Sequence, residues 1–458
     1  MSALTVKTAP LLLATLTLSL HCSLQAAVTP AEAKKLGGVL TPVGAEQSAN
    51  ADGSIPAWTG GLDKAAGNLD SKTGRLSNPY ASEQPLFIID AQNQAQHSDK
   101  LSEGQRAMFK RYPDSYRLRV FPSHRSAALP EFVYQAAARN AVNTRLLSEG
   151  NGLENFETAI PFPIPQSALE VLWNHLTRYR GGSVRRTYVQ AAPLANGNYT
   201  PVYFRQQLTY RDQLTDFDPQ SPGNVLFYYR ELITSPARLA GDVVMVHETL
   251  DQVKEPRKAW IYNAGQRRVR RAPQISYDGP FPASDGQRVA DNLDMYNGAP
   301  DRYDWKLLGK KEIYVPYNNF QLESADNTYA DIIKPGHLNP DLARYELHRV
   351  WVIEGTLKAG NRHIYAKRVA YIDEDTWQIV LADHFDARGT LWRVAEGFMT
   401  PIYDKQIPWL GIETLNDLIN GRYIISGMRN EEKQPQEFGF KASSAEYTPS
   451  ALRNAGVR

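Results

Sequence analysis

The sequence predicts an α+β fold, a large curved antiparallel sheet with helices on one face. Three observations predict it. From about residue 184 onward, apolar residues recur with a period of two. Tight turns rich in Gly, Asn and Asp separate these runs with no helix between them, the mark of a hairpin meander and not of a βαβ series. Before residue 184 the spacing is helical instead.

The elements follow in chain order. Residues 29–36 (TPAEAKKL) form a short helix, and residues 37–80 an ordered extended stretch anchored by Ile55, Trp58 and Leu62. Residues 98–111 form a helix with Ser98 as its cap, and 130–149 a second one opening near Pro130. The third helix, 167–180, has Ser167 and Glu170 spaced as a capping box and an apolar face that includes Leu172 and Trp173; Gly181 and Gly182 end it. Strands are expected at 184–192, 199–210, 224–234, 242–251, 258–263, 267–272, 304–315, 344–358, 361–373, 376–385 and 390–398. Pro408 opens a last helix carrying Ile412, Leu415, Leu418 and Ile419 on one side, and the tail after Arg429 reads as polar and mobile. The expected organisation is thus a leader at 1–26, an N-terminal portion at 27–183 packed on the sheet, a sheet domain with a C-terminal helix at 184–429, and a tail at 430–458.

Residues 1–26 have the layout of a cleaved secretory signal: Lys7, an apolar run from Pro10 to Leu20, and small residues at Ala26 and Ala27. The run is too short for the roughly 20 residues that span a bilayer. Export to the periplasm with cleavage near Ala26 follows, with association to the outer membrane as an option. The lone cysteine, Cys22, falls in this leader, so disulfides, thiolate metal sites and cysteine nucleophiles are excluded from the exported chain. With 51 basic and 49 acidic residues there is no bulk charge to draw nucleic acid.

Chemical signatures are sparse. The sequence has no nucleophile elbow, P-loop, dinucleotide fingerprint or zincin motif. No cofactor and no metal site are expected. His348 and His363 sit on neighbouring strands, where a structural role outweighs metal binding. Asp373, Glu374, Asp375, Asp383 and Asp386 read as turn residues. The basic run Arg267, Arg268, Arg270 and Arg271 suits either a lipid head group or a charged sheet edge that resists aggregation. The aromatic strands around Phe227, Tyr229, Trp260, Tyr262, Val350 and Val352 are apolar on both faces. One face then packs on helices, and the other either packs on the protein itself or lines an apolar cavity.

Long segments also carry a resemblance: LTPVGAEQSANADGSIPAWTGG at 40–61, RLAGDVVMVHETLDQVKEPRKAWIYNAGQRRVRRAP at 238–273, GHLNPDLARYELHRVWVIEGTLK at 336–358 and YIDEDTWQIVLADHFDARGTLWRV at 371–394. Through these the chain resembles the bacterial domain of unknown function 1329 family. That resemblance implies a LolA/LolB-like, outer-membrane lipoprotein-sorting-like fold: an unclosed β-barrel with helices on its concave side around an apolar cavity. It carries no catalytic residue. Family members are grouped with RND-type transporters, which implies a shared export role. The expected function is a non-enzymatic periplasmic binding or transfer protein for a lipid or other hydrophobic ligand, with an RND-type transporter or outer-membrane protein as partner. The alternatives are an envelope interaction protein with no small ligand, and a hydrolase.

Overall fold

The computed structural model describes residues 28–70 and 73–456. The expected export signal lies outside the described residues. The first helix, α1 (Pro30–Ala33), is a single turn closed by a capping box between Thr29 and Glu32. The extended stretch after it is pinned by buried Ile55 and by Trp58, whose indole donates to the Ala127 carbonyl at 3.0 Å. Strands β1 (Leu69–Asp70) and β2 (Arg75–Leu76) pair off the main sheet, and β3 (Phe87–Ile89) follows.

Helix α2 (Glu103–Arg111) begins later than the spacing suggested. Ser102, not Ser98, caps it, because the Ser102 hydroxyl accepts from Gln105 N while the Gln105 side chain accepts from Ser102 N. After β4 (Leu118–Val120), α3 (Glu131–Asn143) stops short of residue 149. Its continuation turns extended and forms a hairpin, β5 (Arg145–Leu147) with β6 (Gly152–Glu154). Helix α4 (Ala168–Thr177) starts at the Ser167 cap, and Leu172 and Trp173 are buried on it. Gly181 and Gly182 have φ of +81° and +73°, a reversal few side chains tolerate.

The main sheet then builds through β7 (Ser183–Ala191), β8 (Val202–Tyr210), β9 (Val225–Ser235), β10 (Val243–Thr249), β11 (Lys258–Asn263) and β12 (Arg268–Arg271). A long crossing, 272–302, leads to β13 (Tyr303–Pro316). After the one-turn helix α5 (Tyr329–Ile332) come β14 (Tyr345–Leu357), β15 (Lys367–Asp373), β16 (Ile379–Phe385), β17 (Leu391–Met399), β18 (Leu410–Asp417), β19 (Tyr423–Met428) and the short β20 (Glu437–Phe438). Strand order is β12-β11-β10-β9-β8-β7-β19-β18-β17-β16-β15-β14, with β13, β4 and β3 completing the β14 end and β20 pairing β7. All pairings are antiparallel except the single contact of β4 with β14. The sheet is unclosed: its path ends at β12 and at β3, and β13 pairs only with β14. Tyr229 on β9 and Ile353 on β14 nevertheless share one apolar core, which requires the sheet to curl round it.

Both faces are covered. The inner face holds α3 and α4 through Val133, Ala137, Leu172 and Trp173. The outer face holds α2 and α5 through Met108, Phe109 and Ile332. It also holds α6 (Pro449–Gly456), whose Leu452 packs with Val243, Met245 and Tyr262. The tail beyond Arg429 is therefore docked, by β20 on β7 and by α6 on the sheet.

The helix expected at Pro408 is instead the hairpin β18–β19. Leu415 enters the inner core and Ile412 the outer one, while Ile419 is 63% exposed. A strand buried on both faces loses its alternation, and its apolar residues can then mimic a helical stripe.

Candidate functional site

Strand alternation sends Val184, Arg186 and Tyr188 of β7, Gln206 and Leu208 of β8, Phe227 and Tyr229 of β9, and Val246 of β10 to the same inner side. Opposite them, the 272–302 crossing lays down Ile275, Phe281, Leu293 and Asp294 as a cover. Trp409 and Glu413 close one flank, and Arg178 and Arg180, just past α4, close another. The result is a narrow cavity of about 80 Å³. Gly427 belongs to its wall because a Cβ there would stand 2.1 Å from the Gly411 carbonyl, and the two strands could not approach.

Ion pairs join apolar contacts through Ile275, Phe281 and Met295 in holding the cover down. Asp294 takes Arg178 on one oxygen and Arg180 on the other, the latter at 2.6 Å. Burial opposes its charge, but the two guanidinium groups win and hold its pKa down at about 2. Arg288, from the cover, forks between Glu413 at 2.6 Å and Gln190 at 2.6 Å. Arg257, ion-paired with Glu248 of β10 at 2.5 Å, donates to the Asn297 carbonyl of the cover at 3.0 Å. His175 ties helix, sheet and cover together: Nδ1 accepts from Ile379 N at 3.1 Å and Nε2 donates to the Tyr296 carbonyl at 3.1 Å. Burial, reinforced by Arg178, lowers its pKa to about 3, so it stays neutral.

The polar end of the cavity is a chain of side chains. Arg186 Nε donates to Gln206 at 2.7 Å, Gln206 donates to the Tyr229 hydroxyl at 3.1 Å, and Tyr229 donates to Glu231 at 2.6 Å. Tyr188 also donates to Glu231. Burial raises the Glu231 pKa, against the two tyrosine hydrogen bonds that lower it.

Of the wall residues singled out in the sequence, Phe227 and Tyr229 line this cavity. Trp260 and Tyr262 do not: they pair with Met245 and Val243 on the outer face, beneath α6. Val350 and Val352 also face outward, while Trp351 and Ile353 take the inner core. A one-residue change of parity accounts for each displacement. The four arginines of the basic run lie away from the cavity, on or beside the terminal strand β12, with Arg271 stacked 4.9 Å over the Trp260 ring. Reasoning from sequence missed Arg178, Arg180, Arg186 and Asp294; the alternation of β7 was the one available signal, for Arg186.

Two further groups of titratable side chains are buried elsewhere. His348 stands 3.2 Å from Asp373 and 3.3 Å from Glu346, under the Tyr317 ring at 4.0 Å. Burial works against its charge, but the two carboxylates prevail and raise its pKa to about 9. His348, Asp373 and Asp375 are close enough to surround a cation. However, Asp375 is forked by Arg125 at 2.6 and 2.9 Å, and a protonated His348 has no lone pair to give. His363 does not meet His348; it contacts Asp291 at 3.0 Å. Asp383 was expected in a turn but lies within β16, under α2, where burial raises its pKa to about 7. Glu396 on β17, held by Tyr116 and Tyr345 at 3.1 and 3.0 Å, is raised to about 7, first by burial and then by Asp383. Asp386 is a turn residue, accepting from Arg388 N and Thr390 N at 2.9 Å.

A model of the family described as "Protein of unknown function (DUF1329)" matches residues 88–453. The uncharacterized protein PA3922 of Pseudomonas aeruginosa is 62% identical over 456 residues, covering 99% of this chain and 100% of its own. Among solved structures, a DUF1329 family protein from Desulfovibrio piger matches with a TM-score of 0.41 at 16% identity, over 59% of this chain and 92% of its own. The LolA superfamily protein NE2245 from Nitrosomonas europaea matches with a TM-score of 0.38 at 13% identity, over 62% of this chain and 98% of its own.

Proposed function

The chain belongs to the DUF1329 family of proteins of unknown function, and we propose that within it this protein binds and transfers an amphipathic ligand, a lipid or other acyl compound, without performing chemistry on it. One observation carries the proposal: a single cavity joins an apolar wall of Leu208, Phe227, Val246, Ile275 and Phe281 to a polar end at Arg186, Gln206 and Tyr229. That pairing of surfaces suits a chain with a head group. At about 80 Å³ the cavity is a slot. A long chain enters fully only if the cover shifts.

The non-enzymatic part of the reading rests on what lines the slot. Among the described residues no histidine lines it, and its carboxylates, Asp294 and Glu413, are bound by arginines. The His348–Asp373 and Asp383–Glu396 pairs are not part of its lining. Among the described residues no helix is long and apolar enough to cross a membrane. The layout of Lys7, Pro10–Leu20 and Ala26 supports a periplasmic location, where an RND-type transporter or outer-membrane protein would pass or receive the ligand.

A second reading, an interaction protein with no small ligand, is favoured by Leu86, Phe87 and Ile88. These are 64%, 37% and 42% exposed on and beside strand β3, next to a groove of about 320 Å³. Organic extraction of purified protein followed by mass spectrometry separates the two. Transfer predicts a co-purifying amphiphile and saturable binding of a fluorescent acyl probe; interaction predicts neither.

A further inference from the structure

Four arginines line the cavity among the described residues: Arg178, Arg180, Arg186 and Arg257. Three are ion-paired, to Asp294, Asp294 and Glu248. Arg186 is not; no carboxylate of the described residues lies within ion-pair distance of it. Its Nη1 is buried without a hydrogen-bond partner. The guanidinium is nevertheless fixed in place. Gln206 holds Nε at 2.7 Å, and the Tyr188 and Trp409 rings lie 4.7 and 5.1 Å from Cζ. Glu231, Glu323 and Glu413 are near enough to act on Arg186 electrostatically, but none of them takes its Nη1. Arg178 Nε and Arg257 Nε of the same lining also lack a partner, but those two guanidinium groups are ion-paired and that of Arg186 is not. A preorganised guanidinium with a free edge fits the oxygens of a carboxylate or phosphate.

We infer that the cavity selects an anionic amphiphile, and that Arg186 receives its acid group while the chain lies along Leu208, Phe227 and Val246. This rests on the binding reading above and narrows it to a class of ligand. The rings of Tyr188 and Trp409 hold the partly buried guanidinium in position. Gln206 fixes which edge faces the ligand. Neutral and cationic amphiphiles of the same chain length bind less well, because they leave Arg186 unpaired or repel it. The acid can be the carboxylate of a free fatty acid or the phosphate of a lipid head group; both present oxygens to the same edge.

The test is calorimetric titration of the full chain with dodecanoate, dodecyl phosphate, dodecanol and dodecyltrimethylammonium. Wild type should bind at least one of the two acids about 10-fold or more tighter than the alcohol, and the ammonium least. The preferred acid identifies the source. Arg186→Gln should lose that preference, the affinity for the acid falling toward that for the alcohol, and Arg186→Lys should restore part of it. Equal wild-type affinity for acid and alcohol overturns the role of Arg186 and leaves the binding reading standing. Equal loss of both ligands in Arg186→Gln also overturns it, since that marks a structural role. If wild type binds none of the four, the binding reading falls and this inference with it. Should Arg186→Gln fail to fold, the wild-type series and Arg186→Lys still decide the question.

Discussion

Arg180 and Asp294 join the end of helix α4 to the cover of the cavity: Nη1 of one lies 2.6 Å from Oδ2 of the other, and Arg178 holds the remaining carboxylate oxygen. The element that closes the slot is thus fastened through charge at a point where the helix, the sheet and the cover meet.

Asp294→Asn removes that fastening and leaves two buried guanidinium groups without a counter-charge. We expect a loss of about 3–5 kcal/mol in chemical denaturation, with faster uptake of an acyl probe in stopped-flow fluorescence. Because the folded pKa of Asp294 is depressed to about 2, its contribution is present above the ordinary aspartate value and is lost as pH falls toward 2. The variant should lose that part of the acid dependence. Unchanged stability and unchanged uptake would show that the cover is held by other contacts.

Two windows of pH dependence should be separable. His348 has a raised folded pKa of about 9, so its stabilisation is complete below about pH 6.5 and declines as pH rises through 9. The full span is ~3 kcal/mol. His348→Gln should flatten the stability profile on the alkaline side, as read by urea melts at a series of pH values. A slope that survives the substitution would place the titration elsewhere.

Asp383 and Glu396 act in the lower window. Both fold with pKa values raised to about 7, so the folded state holds protons that the unfolded chain has released. Stability should therefore fall as pH rises from the ordinary carboxylate range toward 7, and level off above it. Asp383→Asn with Glu396→Gln should remove this fall. The same melts check it.

Trp173 is 1% exposed, and its indole donates to the Gly150 carbonyl at 2.7 Å. Trp173→Ala should cost about 3–5 kcal/mol. A change within error in the denaturation midpoint would mean that α4 is not packed as described.

Much of the fold was legible because hairpins leave local marks. The turn at Asp386 and the Ser167 cap are set by neighbouring residues, and both stand where the sequence put them. Parity was harder. Strands such as β14 are buried on both faces, so Val350 and Trp351 carry no sign of which side meets the inner core. The same loss of alternation disguised β18 as a helix. Asp294 lies in the 272–302 crossing, where no periodicity exists, and its arginine partners are more than a hundred residues away. Such a pairing is set by the curl of the sheet and leaves no local trace. One consequence is practical: Asp placed at Val350 or Val352 tests the outer core, whereas Leu208 and Phe227 test the cavity.

The central claim is that this slot holds an amphiphile, and mass spectrometry of the intact, natively folded protein tests it most directly. Wild type, as purified or after incubation with dodecanoate and dodecanol, should carry a bound mass of one ligand per chain. Leu208→Asp, which sets a charge in the apolar wall, should keep the fold and lose that mass. A wild-type spectrum showing only the bare chain under all three conditions would contradict the account.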